Sequence, residues 1–351
     1  MRVGRRGQVL RVAATYVGTV VGAGFASGQE SLRFFAAYGA AGVWGVALAT
    51  LLFCFYGAVV LELGHRLSAR SHREILEYAC GRRAGQFADV AVTLFLFAGL
   101  TVMLAGAGAL VQQQLGLPAL LGTLVTVAAT LLTVLAGLDG LMAANAVVVP
   151  LLAAAVFALC TASLRYHGLS LGNPGPAVKE LQAGANWFVS AWLYVAYNLI
   201  LSISVLAPLG AAVASRRRRL AGAVLGGLCL GLLALAIKLA VAAHLPEVGR
   251  YQVPMLFLAR HYAPPVQYTY ALVLWAEIYT TACAGAFGVA RRLTDATGWP
   301  YSATVSGAVL FAVFGSGLGF ARLVSTLYPA FGYVSVVLLV LLARYGVRNY
   351  S

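Results

Sequence analysis

Charge is what this sequence has least of. Only 10% of its 351 residues are Asp, Glu, Lys or Arg, and acids are rarest, with 10 Asp and Glu against 24 Lys and Arg. Set beside 61% hydrophobic residues and a mean hydropathy of +0.87, that scarcity excludes a water-soluble domain, which would lack polar surface to cover its apolar runs. Cysteine is also sparse. Cys54, Cys80, Cys160, Cys229 and Cys283 are odd in number and mostly inside apolar runs, which argues against a disulfide framework or a metal site. The histidines, His65, His72, His167, His244 and His261, fall at loops or span ends without His-His or His-Glu pairing, and no nucleophile-base constellation accompanies them. A membrane enzyme is therefore disfavoured. A channel is disfavoured as well, because no ring-forming or filter-like repeat is present.

What remains is an all-α integral membrane protein. Apolar segments lie near 12–38, 40–65, 86–111, 118–138, 140–164, 183–209, 220–244, 266–290, 302–319 and 322–343, long enough for ten transmembrane helices. Turn chemistry separates them: "GLDG" at 137–140, "GNPGP" at 172–176, "SRRRR" at 215–219, "APP" at 263–265 and "GSGLG" at 315–319. The basic start followed by an apolar run mimics a secretory signal, but the run continues beyond a signal's usual length, so an N-terminal anchor is expected.

Ten spans put both termini on one side, and Lys and Arg concentrate on the cytoplasmic side of short loops. With the N-terminus inside, seventeen cations are cytoplasmic, six are external and Lys238 lies within a span. Both termini are thus expected in the cytoplasm, in the inner membrane of the cell. The same asymmetry accounts for the net charge of +14 with no nucleic acid partner. "SRRRR" reads as an anchor to anionic lipid of the bilayer. The external segments 165–182 and 245–265 fit either a lid or an interfacial hairpin.

The first span carries "VGTVVGAGFASGQE" at 17–30. Gly18 and Gly22 form a GxxxG pair, and close helix packing explains such a pair as well as function does. With Gly24, Gly28, Ser27, Gln29 and Glu30 added, the odds tilt toward a broken helix whose freed backbone groups face a binding site near the midplane. Unwinding after Gly24 would expose the N-terminus of the outer half, which favours a substrate carboxylate. Val20, Ala23, Gly24 and Ala26 would supply backbone, and Ser27 a donor. The sixth span offers Tyr194, Tyr197 and Asn198 near its centre as a facing half-site.

The pattern G-x-x-x-G-x-G resembles the first helix of LeuT-fold transporters of the amino acid-polyamine-organocation superfamily, and "GAGFASGQE" resembles the signature of the YkvI-type family within it. The resemblance implies a 5+5 inverted repeat, divided here into 12–164 and 183–343, with helices 1 and 6 discontinuous. It implies a cation site between helices 1 and 8, with carbonyls from Gly18 and Val21 and hydroxyls from Thr280 and Thr281. Oxygen-only ligation suits a hard monovalent cation, Na+. For a Thr pair in a membrane helix the commoner fate is back-bonding to its own carbonyls. A second sodium position of some relatives uses an asparagine after the motif's last glycine. Phe25 stands there, so that site is expected to be absent.

Proton-coupled relatives often carry a lysine in helix 5, and 140–164 has none, which favours sodium. Glu277, four residues before Thr281 on one helix face, keeps H+ as an alternative coupling ion, since a carboxylate at that depth is by default functional. Glu62 either snorkels or pairs with Arg66. Glu30 and Lys238 are candidates for coupling or gating and would lock the outer vestibule if they paired. These residues together suggest a secondary active transporter that moves a small amino acid or related carboxylate-bearing solute, driven by one Na+. A non-transporting ligand sensor on the same fold is the alternative from another class.

Overall fold

A computed structural model describes residues 5–168, 171, 174–251, 253–262, 264–318, 323, 331–332 and 335–342. Arg2, Arg322, Arg344 and Arg348, most of 319–334 and parts of the 165–182 and 245–265 segments lie outside the described residues. Through Ser316 the described residues form fourteen α-helices, and none of the described residues is in a strand. The first span is built from α1 (Arg5–Val20), α2 (Ala23–Ala26) and α3 (Gln29–Phe34). The next eight are α4 (Ala41–Arg66), α6 (Arg82–Leu115), α7 (Ala119–Leu135), α8 (Gly137–His167), α10 (Trp187–Ala212), α11 (Arg216–Ala242), α13 (Pro264–Thr297) and α14 (Tyr301–Ser316). Residues 335–342 are helical where a tenth span is expected. Three short helices lie between spans: α5 (Arg73–Cys80), α9 (Pro176–Lys179) and α12 (Pro254–Arg260).

Apolar side chains cover the outside of the bundle. Phe87 is 80% exposed, Leu132 77% and Phe314 81%, which only a hydrocarbon solvent makes inexpensive. Inside, small residues let backbones meet. A Cβ on Gly64 of α4 would overlap the carbonyl of Ala207 on α10, and one on Gly210 of α10 would overlap that of Leu61. Without a hydrophobic drive between helices in lipid, this close packing is what associates them. Tyr16 of α1 wedges between α4 and α11, its ring seated on Gly57 and Gly226, and its hydroxyl donates to the Phe53 carbonyl at 2.8 Å.

Ion pairs staple one end of the bundle. Glu62 accepts from Arg66 at 3.3 Å and also from Arg219 at 2.8 Å, so the cluster "SRRRR" contributes a 2%-exposed arginine to the interior. Arg219 further donates to the carbonyls of Val213 and Ala214 at 2.6 and 2.9 Å, beyond the last turn of α10. Asp89 of α6 is held by Arg292 of α13 at 2.6 Å and by His72 at 3.2 Å, which joins α6, α13 and the start of α5.

One expectation fails. The sixth span is not discontinuous: α10 runs unbroken from Trp187 to Ala212. Its centre has no glycine, and its polar side chains bond along their own helix. The Asn198 amide donates to Tyr194 O at 2.9 Å and Ser202 donates to Asn198 O at 2.7 Å, so these groups reinforce the ladder.

Candidate functional site

The first span does come apart. Helical geometry stops at Val20, Val21 and Gly22 are non-helical, and α2 lasts four residues before Gly28 turns the chain in the left-handed region at φ 82°. Glycine is needed there both for that φ and because a Cβ would press on Met255 at 2.9 Å. Breaking a membrane helix is tolerable only where the freed backbone groups find partners. Neighbouring elements supply them. Thr19 O accepts from Ser202 of α10 at 3.3 Å, Val21 O from Thr281 of α13 at 2.6 Å, Ala26 O from Tyr270 of α13 at 2.6 Å and Ser27 O from the Met255 amide of α12 at 2.9 Å. The Ser27 hydroxyl turns back on Gly24 O at 3.0 Å.

The threonine pair divides its roles. Thr281 crosses to Val21, and its methyl and hydroxyl lie 3.3 Å from where a Cβ on Gly22 would sit. Thr280, fully buried, back-bonds to Glu277 O at 3.2 Å. Gly18 packs against the amide of Asn145 on α8 so tightly that a Cβ would overlap it. Neither amide atom of that fully buried asparagine has a hydrogen-bond partner among the described residues. Thr281 thus sits on the Val21 carbonyl and the Asn145 amide on Gly18, two contacts that place oxygen donors along the first span next to α13 and α8. Sequence reasoning missed Asn145, although a lone amide in the middle of an apolar span was the signal for it.

The proposed substrate residues are brought together differently from expectation. α2 is one turn long, and its N-terminal dipole is correspondingly weak. Over Gly24 lies the chain's own carboxylate: Glu30, 7% exposed, folds back so that a Cβ on Gly24 would overlap Oε1. The Tyr197 hydroxyl and Asn198 amide of α10 face the same carboxylate. Tyr194 is buried against Phe34, Phe35 and Phe53, with ring centroids 5.3, 4.9 and 5.8 Å away. Val20 and Ala26 are buried backbone neighbours of the break, whereas Ala23 is described by its backbone alone.

Glu277 is fully buried on α13, and neither carboxylate oxygen has a hydrogen-bond partner among the described residues. Lys238 does not pair with Glu30. It is fully buried and donates to Leu171 O at 3.1 Å, tying α11 to the segment after α8.

Comparison with known proteins bears on this arrangement. YkvI, an uncharacterised membrane protein of Bacillus subtilis (strain 168), is 32% identical over 331 residues, covering 94% of this chain and 94% of YkvI. The chain belongs to the YkvI family. YyaD of the same organism is 26% identical over 336 residues, 95% of each chain. No protein-family model matches the sequence. Among solved structures, MhsT in complex with L-phenylalanine superposes with a TM-score of 0.70 at 15% identity, covering 94% of this chain and 87% of MhsT. A Na+-coupled sialic acid symporter in its substrate-bound outward-open state gives 0.67 at 11% identity over 95% of this chain and 75% of the symporter. Mhp1, a nucleobase-cation-symport-1 family transporter, gives 0.56 at 15% identity over 87% and 70%. At such identities the likeness is one of fold. This family member thus has the LeuT fold, interrupted in the first span and continuous in the sixth.

Proposed function

We propose that the protein is a secondary active transporter that carries a small amino acid or related solute by alternating access, coupled to one Na+. The observation that carries this reading is the Thr281 hydroxyl set on the Val21 carbonyl at the break in the first span, with the orphaned Asn145 amide beside Gly18. Ion binding there would bridge α1, α8 and α13, so occupancy would be linked to how those helices sit against one another. MhsT, solved with L-phenylalanine, and the Na+-coupled sialic acid symporter share the fold and lend support to both ion and solute class. In this reading 12–164 and 183–343 are the two inverted repeats, and both termini face the cytoplasm.

Coupling to H+ through Glu277 is the second reading, favoured by a buried carboxylate whose two oxygens lack partners among the described residues. Uptake into proteoliposomes separates them. Accumulation of a radiolabelled amino acid under an imposed inward Na+ gradient at equal pH is the expected result. Accumulation that follows a pH gradient alone and vanishes in Glu277→Gln makes H+ the coupling ion. Binding without accumulation under either gradient leaves a sensor and refutes transport.

A further inference from the structure

Glu30 is the charged group at the break that the cation site does not use. One of its oxygens lies over Gly24, the Tyr197 hydroxyl and Asn198 amide face the carboxylate, and the side chain is 7% exposed. The ion pairs among the described residues use Glu62, Glu77 and Asp89, and none of them reaches Glu30. Lys238, the buried cation of the neighbouring α11, is spent on a backbone carbonyl. An anion at such depth is costly without a counter-charge.

Three aromatic rings stand beside it. Phe34 lies one turn after Glu30 on the same face of α3. Its ring is 5.3 Å from that of Tyr194 and 5.8 Å from that of Tyr197, and the two tyrosines are 6.0 Å apart. A buried carboxylate beside aromatic rings is chemistry for an organic ammonium: the anion offers a charge-assisted hydrogen bond, and ring quadrupoles attract the cation's positive shell. A solute bearing only a carboxylate would meet like charge at the same place.

We infer that Glu30, with Phe34, Tyr194 and Tyr197, forms an ammonium half-site, so that the protein selects amines and amino acids through their amino group and rejects simple carboxylates. What happens to the solute after binding rests on the transport reading, whereas recognition itself does not. The Glu30 carboxylate takes the position over Gly24 that a substrate carboxylate would otherwise occupy.

The test uses the full chain in detergent with Na+ present and measures thermal shift and titration calorimetry with two matched sets: L-leucine, 3-methylbutylamine and 4-methylpentanoate; L-alanine, ethylamine and propionate. The amino acid or amine of at least one set is expected to bind and the corresponding acid not to. Glu30→Gln should weaken that binding by about tenfold to a hundredfold. Should that variant fail to fold, Phe34→Leu takes its place, with an expected loss of about two- to thirtyfold from the missing ring. Acids that bind as tightly as amines, absence of binding by every amine and amino acid in both sets, or unchanged affinity in the variant overturns the half-site. Failure of the transport reading looks different: the amines bind, and no Na+ or H+ gradient drives their accumulation.

Discussion

Replacing Thr281 with valine removes one hydroxyl and almost nothing else. Valine keeps the methyl that packs against Gly22 and matches threonine in volume, while the 2.6 Å bond to Val21 O is lost. That carbonyl belongs to the break and has no helical partner to fall back on, so leaving it orphaned should cost about 1–3 kcal/mol of stability in Na+-free buffer. The ion site suffers separately. At Na+ one hundred times its dissociation constant, the native chain gains about 2.7 kcal/mol from binding. Losing one ligand of a small oxygen cage should weaken affinity at least about tenfold, so at the same concentration the gain falls to about 1.4 kcal/mol or less. Melting curves in detergent, with Na+ exchanged for choline at constant ionic strength, read both effects. Thr281→Ser should behave like the native chain because it retains the hydroxyl. A valine variant that keeps the full Na+-dependent shift would refute the assignment of Thr281 to the ion.

Other expectations follow from the packing. Glu62→Gln should destabilise the protein by about 3–5 kcal/mol, because it leaves the buried Arg219 without its counter-charge, whereas Arg66→Ala, at a guanidinium 42% exposed, should cost under about 1 kcal/mol; thermal melting compares them. Gly24→Ala should abolish solute binding by driving its methyl into the Glu30 carboxylate. Gly22→Ala, whose methyl would meet Thr281 at 3.3 Å, should bind more weakly than the native chain yet measurably, as calorimetry would show. A C-terminal fluorescent-protein fusion should fluoresce and a C-terminal alkaline-phosphatase fusion should be inactive, since a cytoplasmic C-terminus is required by ten spans with the N-terminus inside.

Span positions were legible in the sequence because scarce charge and turn residues bracket each apolar run. α4 lies at 41–66 against an expected 40–65, and α14 at 301–316 against 302–319. The break was legible for a physical reason too: glycines at 18, 22, 24 and 28 lower the cost of leaving the helix. Other features were hidden because they depend on where a side chain returns after a turn. The left-handed Gly28 folds α3 so that Glu30 covers Gly24, six residues earlier, and no periodic pattern reports such a reversal. Tyr194, Tyr197 and Asn198 marked the right part of the sixth span, but the break that the resemblance implied there gives way to an intact helix along which Asn198 and Ser202 back-bond. Arg219 looked like one of four equivalent anchoring cations, and only the approach of α11 to α4 sends it inward to Glu62.

Hydrogen exchange across residues 17–30 tests the broken first span as the binding element most directly. In Na+-free buffer the amides of 22–25 should exchange markedly faster than those at the centre of α10, and Na+ together with an amino acid that binds should slow them. Amides there as protected as mid-α10 without ligand, or indifferent to Na+ and solute, would contradict the account.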